Sequence, residues 1–153
     1  MPQLTAPDLG EFRFSAEDLI TFPEGLPAFE HLHQFLLVTR DNLRPFIFLV
    51  SAEQPTVRFV CLPVQILRPD YGFELAASDC GWLAPPGGYH ASSPELDVFV
   101  ILTLSEGAPA TANLMAPVVV NLKEQIGMQV IDGGSPYSHR HPIPMGKEVT
   151  PCS

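Results

Sequence analysis

The chain is predicted to be all-β: a small antiparallel β-barrel-like domain with very little helix. Three observations lead there. Seventeen prolines are spread through 153 residues, leaving few segments free of them for long enough to make an ordinary helix. Between the prolines lie short apolar runs rich in β-branched and aromatic residues, whose length and composition favour strands. Several of these runs do not alternate between apolar and polar residues, so both of their faces are covered. In an antiparallel protein of this size that pattern suits a small barrel, closed or nearly so, with one face lining the interior and the other capped by loops or extra strands. Closure also removes hydrogen-bonding edges. The length fits one domain, placed at residues 1–143, with 144–153 expected to be a mobile tail because it holds Pro, Gly and Thr with few apolar anchors.

Along the chain, the segment Phe22-Pro23-Glu24-Gly25-Leu26-Pro27 alternates turn formers with apolar residues. Each Pro fixes φ, and Gly25 allows a positive φ between them. The result is a fixed bend delivering Phe22, Leu26 and Phe29 to the core. Phe29–Gln34 is long enough for about one helical turn after Pro27. Strands follow over Phe35–Thr39, Phe46–Val50 and Val57–Leu62. A second short helical turn is expected over Ser78–Leu83, capped by Ser78 and stopped by Gly81 and Pro85-Pro86. Ala84–Pro94 is a loop by composition. Val98–Leu104 and Val118–Leu122 are strands, and Met128–Ile131 completes a hairpin with the latter. Pro117 must sit where no ladder bond is needed, at a strand start or an edge. Asn113 and Asn121, if buried, must satisfy their amides, most simply by fixing a neighbouring loop. Gly133–Pro136 is a further loop.

Bulk composition excludes several function classes. Apolar residues make up 46% of the chain, too many for a disordered polymer. The longest uncharged stretch, Gly107–Leu122, is broken by Pro109 and Pro117 and cannot be a spanning helix. The N-terminus carries Asp8 and Glu11 and no apolar h-region, so a cytoplasmic location is expected. Three widely spaced cysteines, Cys61, Cys80 and Cys152, form no disulfide framework and suit a reducing compartment. Cys61, inside an apolar run, reads as a small core residue. The net charge is −9, and no Lys or Arg occurs between Arg68 and Lys123, a span that holds Asp70, Glu74, Asp79, Glu95, Asp97 and Glu106. Such a surface repels phosphate backbones, arguing against direct nucleic-acid binding. It attracts a basic partner, although acidity also simply keeps a protein soluble.

Residues suited to chemistry are sparse. His31-Leu32-His33 and His139-Arg140-His141 are both His-x-His. On a strand that spacing puts two imidazoles on one face, which suits a metal. The first pair falls in the expected helical turn, where i and i+2 diverge, and the second adjoins Pro142. No Asp or Glu stands at ligand spacing beside either, so no metal and no cofactor is assigned. A small metal-dependent β-barrel enzyme using these pairs is kept as the alternative reading. There is no Gly-x-Ser-x-Gly, no Cys in an electropositive context and no phosphate-loop pattern. Asp70-Tyr71-Gly72-Phe73-Glu74 differs from the rest in offering two aromatics between carboxylates. That is the composition of a partner anchor, or equally of an edge strand with one buried ring.

Taken in order, these segments resemble the FliW family of bacterial flagellar assembly factors. The resemblance runs from Phe12 to Ile143. It rests on the bend at Phe22–Glu30, the strands around Pro45-Phe46 and Phe59, Asp70-Tyr71-x-Phe73, Thr111–Asn121, Gly127-x-Gln129-Val130-Ile131, and Tyr137-Ser138-x-Arg140-His141-Pro142. It implies a non-enzymatic, barrel-like cytoplasmic protein that binds the translational repressor CsrA, stops it repressing flagellin synthesis, and also binds flagellin. By that analogy the antagonism need not occupy the repressor's RNA site, and an allosteric coupling would be reciprocal. Two departures stand out: Gly81 and Pro85–Gly88 replace a charged helical stretch often found in the family, and Gly72 stands where relatives are often acidic. Charge and resemblance together place the partner-binding surface at Asp70, Tyr71, Gly72, Phe73 and Glu74, with Leu104 and Glu106 nearby. On this reading, replacing Tyr71 and Phe73 by Ala weakens partner binding by about 1–3 kcal/mol without unfolding the domain.

Overall fold

Apolar residues on successive positions of one strand must be buried on both faces of the sheet, and the architecture shows how. The computed structural model describes residues 3–6, 10–14, 16–75, 83–91, 93–94, 96–104, 107, 109–130 and 137–143, with only the strand backbone for 3–6 and 10–13. Its strands are β1 (Gln3–Ala6), β2 (Gly10–Arg13), β3 (Ile20–Thr21), β4 (Gln34–Val38), β5 (Ile47–Ser51), β6 (Arg58–Pro63), β7 (Gly72–Leu75), β8 (Gly87–His90), β9 (Asp97–Thr103), β10 (Thr111–Ala112), β11 (Val118–Asn121), β12 (Ile126–Gln129) and β13 (His141–Pro142). Neighbours in the main sheet run β11-β12-β3-β4-β5-β6-β9, and β9 pairs back onto β11, closing a 7-strand barrel. β10 and then β13 extend the sheet from the second half of β9. The barrel is antiparallel except at one seam, where β12 and β3 run parallel with Ile126 opposite Thr21.

Register assigns each apolar residue to a side. Phe35, Leu49, Cys61, Phe99, Val118 and Val120 point inward and form one buried cluster with Ile20, Phe22, Leu26 and Leu32. Their sequence neighbours point outward. Leu62, Val98, Val100, Leu102 and Val119 face a second core shared with Tyr71, Phe73 and Leu75 of the β7 segment and with Leu114. Leu36, Val38 and Val50 face a third, smaller cluster bordered by Phe14, Leu19 and Phe48. The paired hairpin β7–β8 thus supplies strands of the outer layer. Burying each such side chain contributes about 1.5–3 kcal/mol, so strands with two buried faces carry the stability of the fold.

The Phe22–Glu30 bend forms as its turn residues require. Gly25 has φ +64°, and a Cβ there would lie 2.6 Å from the Glu30 Cα. The Gly25 N–H donates to the Phe22 carbonyl at 2.9 Å and the Phe29 N–H to the Leu26 carbonyl at 2.7 Å. Phe22 and Leu26 end fully buried and Phe29 half-buried, its ring edge-on to Phe59 at 5.6 Å. Pro117 directly precedes β11, and its carbonyl accepts from the Val130 N–H. Asn121 donates to the Leu83 carbonyl at 2.9 Å and accepts from the Glu124 N–H at 3.1 Å, while Asn113 accepts from the Met115 N–H at 3.1 Å. Both amides fix adjacent loops.

Several local expectations are corrected. Residues 29–34 make a hydrogen-bonded turn, with the Leu32 N–H donating to Phe29, and no helix. The single α-helical turn among the described residues is Val64–Leu67, directly after β6. The stretch read as an 84–94 loop contains β8, because the glycines pair with β7 on the surface where no side chain is needed. The helical turn expected at 78–83 lies outside the described residues except for Leu83, as do the 133–136 loop and the 144–153 tail. No helix among the described residues is long and apolar enough to cross a membrane.

Candidate functional site

The outer layer begins where β6 ends. The Val64–Leu67 turn closes with the Arg68 N–H on the Val64 carbonyl (2.8 Å), and the Tyr71 N–H then donates to the Arg68 carbonyl (3.0 Å). This tight reversal leaves Asp70 exposed at its tip and drives Tyr71 inward. Arg68 grips Asp70 with two bonds, Nε to Oδ1 at 3.1 Å and Nη2 to Oδ2 at 3.2 Å. That hydrogen bonding holds the Asp70 carboxyl below its ordinary range and raises the guanidinium in turn. The Arg68 guanidinium also lies over the Tyr137 ring, 5.2 Å from its centre. Tyr137 stacks on Tyr71 with centroids 4.3 Å apart, and its hydroxyl accepts from the Gly72 N–H at 3.1 Å.

Tyr71 and Phe73 therefore serve the core. Tyr71 is 1% exposed and Phe73 9%, and Phe73 stacks on Tyr89 at 5.9 Å. Tyr89 is anchored by its hydroxyl, which donates to the Pro85 carbonyl at 2.6 Å. An aromatic that anchors a partner must present its ring, and these two rings point into the protein. The expectation that both can be cut to Ala without unfolding the domain is corrected accordingly: each replacement would empty part of the main core. Of the residues proposed to meet a partner, Asp70 and Glu74 are exposed, Gly72 is half-buried, and Leu104 is 58% exposed just past the end of β9. Glu106 lies outside the described residues.

The site holds one cation that sequence reasoning passed over. In the sequence Arg68 marks only the end of an acidic span, yet in the fold it pairs with Asp70 and joins it to Tyr137, 69 positions further along the chain. Tyr137 carried a signal only through the Tyr137-Ser138-x-Arg140 motif. Glu74 is the exposed carboxylate of β7, and its cross-strand neighbour Gly88 of β8 carries no side chain.

The two histidine pairs sit on separate segments, the first just before β4 and the second at the start of β13. The His33 Nδ1 donates to the Phe22 carbonyl at 3.0 Å, and His31 is exposed. His141 stands in β13 opposite Ala112, and His139 is exposed. No three His, Cys, Asp or Glu side chains among the described residues converge as a metal-binding group. Glu53 sits beside the first pair as a backbone cap: its Oε1 accepts from the His33 N–H (2.6 Å) and the Gln34 N–H (2.9 Å). These bonds, the Gln34 one foremost, hold its carboxyl below the ordinary range.

A sequence profile of the FliW protein family matches residues 3–143. The chain is 35% identical over 147 residues to the flagellar assembly factor FliW of Carboxydothermus hydrogenoformans, covering 95% of this chain and 91% of that one. It is 34% identical over 143 residues to the flagellar assembly factor FliW of Caldanaerobacter subterraneus subsp. tengcongensis, covering 92% of each. In three dimensions it is similar to a crystal structure of the flagellar assembly factor FliW, with a TM-score of 0.77, 28% identity, and coverage of 92% of this chain and 96% of that chain.

Proposed function

The chain belongs to the FliW family, and from that premise we propose that it is a flagellar assembly factor that works by binding other proteins in the cytoplasm. Its clients are CsrA, whose repression of flagellin synthesis it relieves, and flagellin, which competes for it. When flagellin is exported, the freed protein turns to CsrA. The observation that carries this reading is the family match across residues 3–143, which takes in both the barrel and the β7–β8 layer outside it.

The physical logic is electrostatic. A protein that binds RNA presents cationic surface, and this chain carries a net charge of −9. With Asp70 held by Arg68, Glu74 is the carboxylate of the β7 rim that remains to attract such a surface. Attraction of this kind speeds encounter and fixes orientation. By analogy with the family the antagonism need not occupy the RNA site of CsrA; engagement elsewhere would act through a shift in RNA affinity, with RNA weakening this protein's binding by the same factor.

Titration calorimetry of the purified chain against CsrA and against flagellin tests the proposal. Both are expected to bind, the CsrA complex weakening as salt rises and on Glu74→Lys. Absence of binding to either client by the folded protein at low salt would overturn it.

A further inference from the structure

Asn121 braces a pocket where β9 starts and β11 stops. Its side-chain amide donates to the Leu83 carbonyl at 2.9 Å, and its Oδ1 accepts from the Glu124 N–H at 3.1 Å. One residue thereby fixes two walls, the 83–85 segment and the turn between β11 and β12. The cavity they border is about 420 Å³, within the size range of ligand sites. Buried Ala84 and Leu96 back it, while exposed Pro85 and Pro94 and the 52%-exposed Leu122 stand at its mouth. One exposed leucine alone means little. Beside a cavity and two prolines, it makes an apolar collar. Asp97 brings charge into this setting. It lines the cavity from β9, in register with Val120 of β11. Protein packed around its carboxyl raises it above the ordinary carboxylate range, and no cation acts in the other direction. Among the described residues its carboxylate has no hydrogen-bond or ion-pair partner. Lys123 and Glu124, adjacent on the turn and both exposed, offset one another, so Asp97 sets the sign of the pocket.

We propose that this pocket receives a basic side chain of a partner protein, with the cationic head on Asp97 and the methylene stem along Leu96 and Ala84. Lysine and arginine lay an apolar stem on apolar surface and carry their charge at the tip, which is the sequence of surfaces this cavity offers from wall to carboxylate. An arriving cation also gives the Asp97 carboxylate the partner that the fold withholds. The collar favours a protein over a free amine. A free amine would leave Leu122 and the two prolines uncovered, whereas partner surface around a buried anchor covers them and excludes water. The pocket contains none of the residues placed on the β7 rim, so it stands whichever flagellar client binds there.

The probe is a capped peptide with a lysine between two leucines, titrated into the isotope-labelled protein and followed by NMR. The expected result is saturable amide shifts at Leu96–Val98 and along residues 121–124, with affinity falling at least about tenfold on Asp97→Asn or when the peptide lysine is acetylated. The Asp97 carboxyl is expected to titrate at lower pH in the complex than in the free protein. Butylammonium, which cannot reach the collar, is expected to bind more weakly than the peptide. Absence of shifts at these residues, equal binding by the acetylated peptide, or an unmoved Asp97 titration would overturn the proposal. So would butylammonium binding as tightly as the peptide, which would make this a site for small amines. Loss of binding on Lys123→Ala would assign the pocket to an anionic group and equally overturn it.

Discussion

Tyr71 donates its hydroxyl hydrogen to the Leu114 carbonyl at 2.5 Å, a buried bond between residues 43 positions apart. It ties the outer layer to the segment leading into β11 and satisfies a carbonyl in the main core. Tyr71→Phe keeps the ring and removes the donor. Leaving a buried acceptor unmatched costs about 1–3 kcal/mol, and urea unfolding is expected to show a loss of that size with little change in slope.

Gly127 faces the inside of the barrel, where a Cβ would fall 2.8 Å from the Phe22 ring tip. Phe22 is fully buried and packs edge-on to Phe35 at 5.1 Å, so its ring has little room to retreat. Gly127→Ala is expected to destabilise by about 1–3 kcal/mol through overpacking. Adding Phe22→Leu makes space, so the double variant should be more stable than the sum of the two single losses requires.

Glu53 links acidity to stability. Its carboxyl is held low in the folded state by the backbone N–H groups of Gln34 and His33. A depressed folded pKa gives a contribution that is full above the unfolded value and disappears as pH falls through the folded one. Glu53→Gln should therefore flatten the acid limb of the stability curve below the ordinary carboxylate range. Thermal melts across that range check it, and parallel curves for the two proteins would refute the assignment.

Cys61 is 1% exposed in the barrel interior, and burial pushes its thiol up to about 12. Thiolate is the reactive form, so iodoacetamide at mildly alkaline pH should leave the Cys61 peptide unlabelled in the native protein and label it in urea. Peptide mass spectrometry reads the difference directly.

The barrel was legible because its strands are buried twice over. Phe35–Val38, Leu49–Val50 and Val98–Leu102 are continuous apolar runs whose neighbours point to opposite sides, and continuity is itself the signal. The bend at Gly25 was legible for a different reason, since two prolines and a glycine restrict the backbone locally. What escaped was long-range and small. β3, β10 and β13 have two residues each and exist only because a neighbour pairs with them. β8 consists of Gly87, Gly88, Tyr89 and His90, a composition that reads as a loop until β7 is placed beside it. At the rim, the charges of the acidic span were visible, but the Arg68 fork on Asp70 and the Tyr137 stack on Tyr71 are products of folding. Tyr71 and Phe73 have the composition of an anchor and the placement of core, and only tertiary structure separates the two.

The parallel junction of β12 with β3 makes this ring a hoop with one light clasp. A single Cα pair, Ile126 with Thr21, registers it, while β4–β5 and β5–β6 each register four. Gln125 reinforces the clasp. Its carbonyl accepts from the Thr21 N–H at 2.9 Å, and its side-chain amide donates to the carbonyls of Ala16, Glu17 and Leu19. Unzipping is therefore expected to begin here, with the Thr21 amide exchanging hydrogen well before those of β5 and β6. The hoop can spring at this point while the rest of its circumference stays knitted.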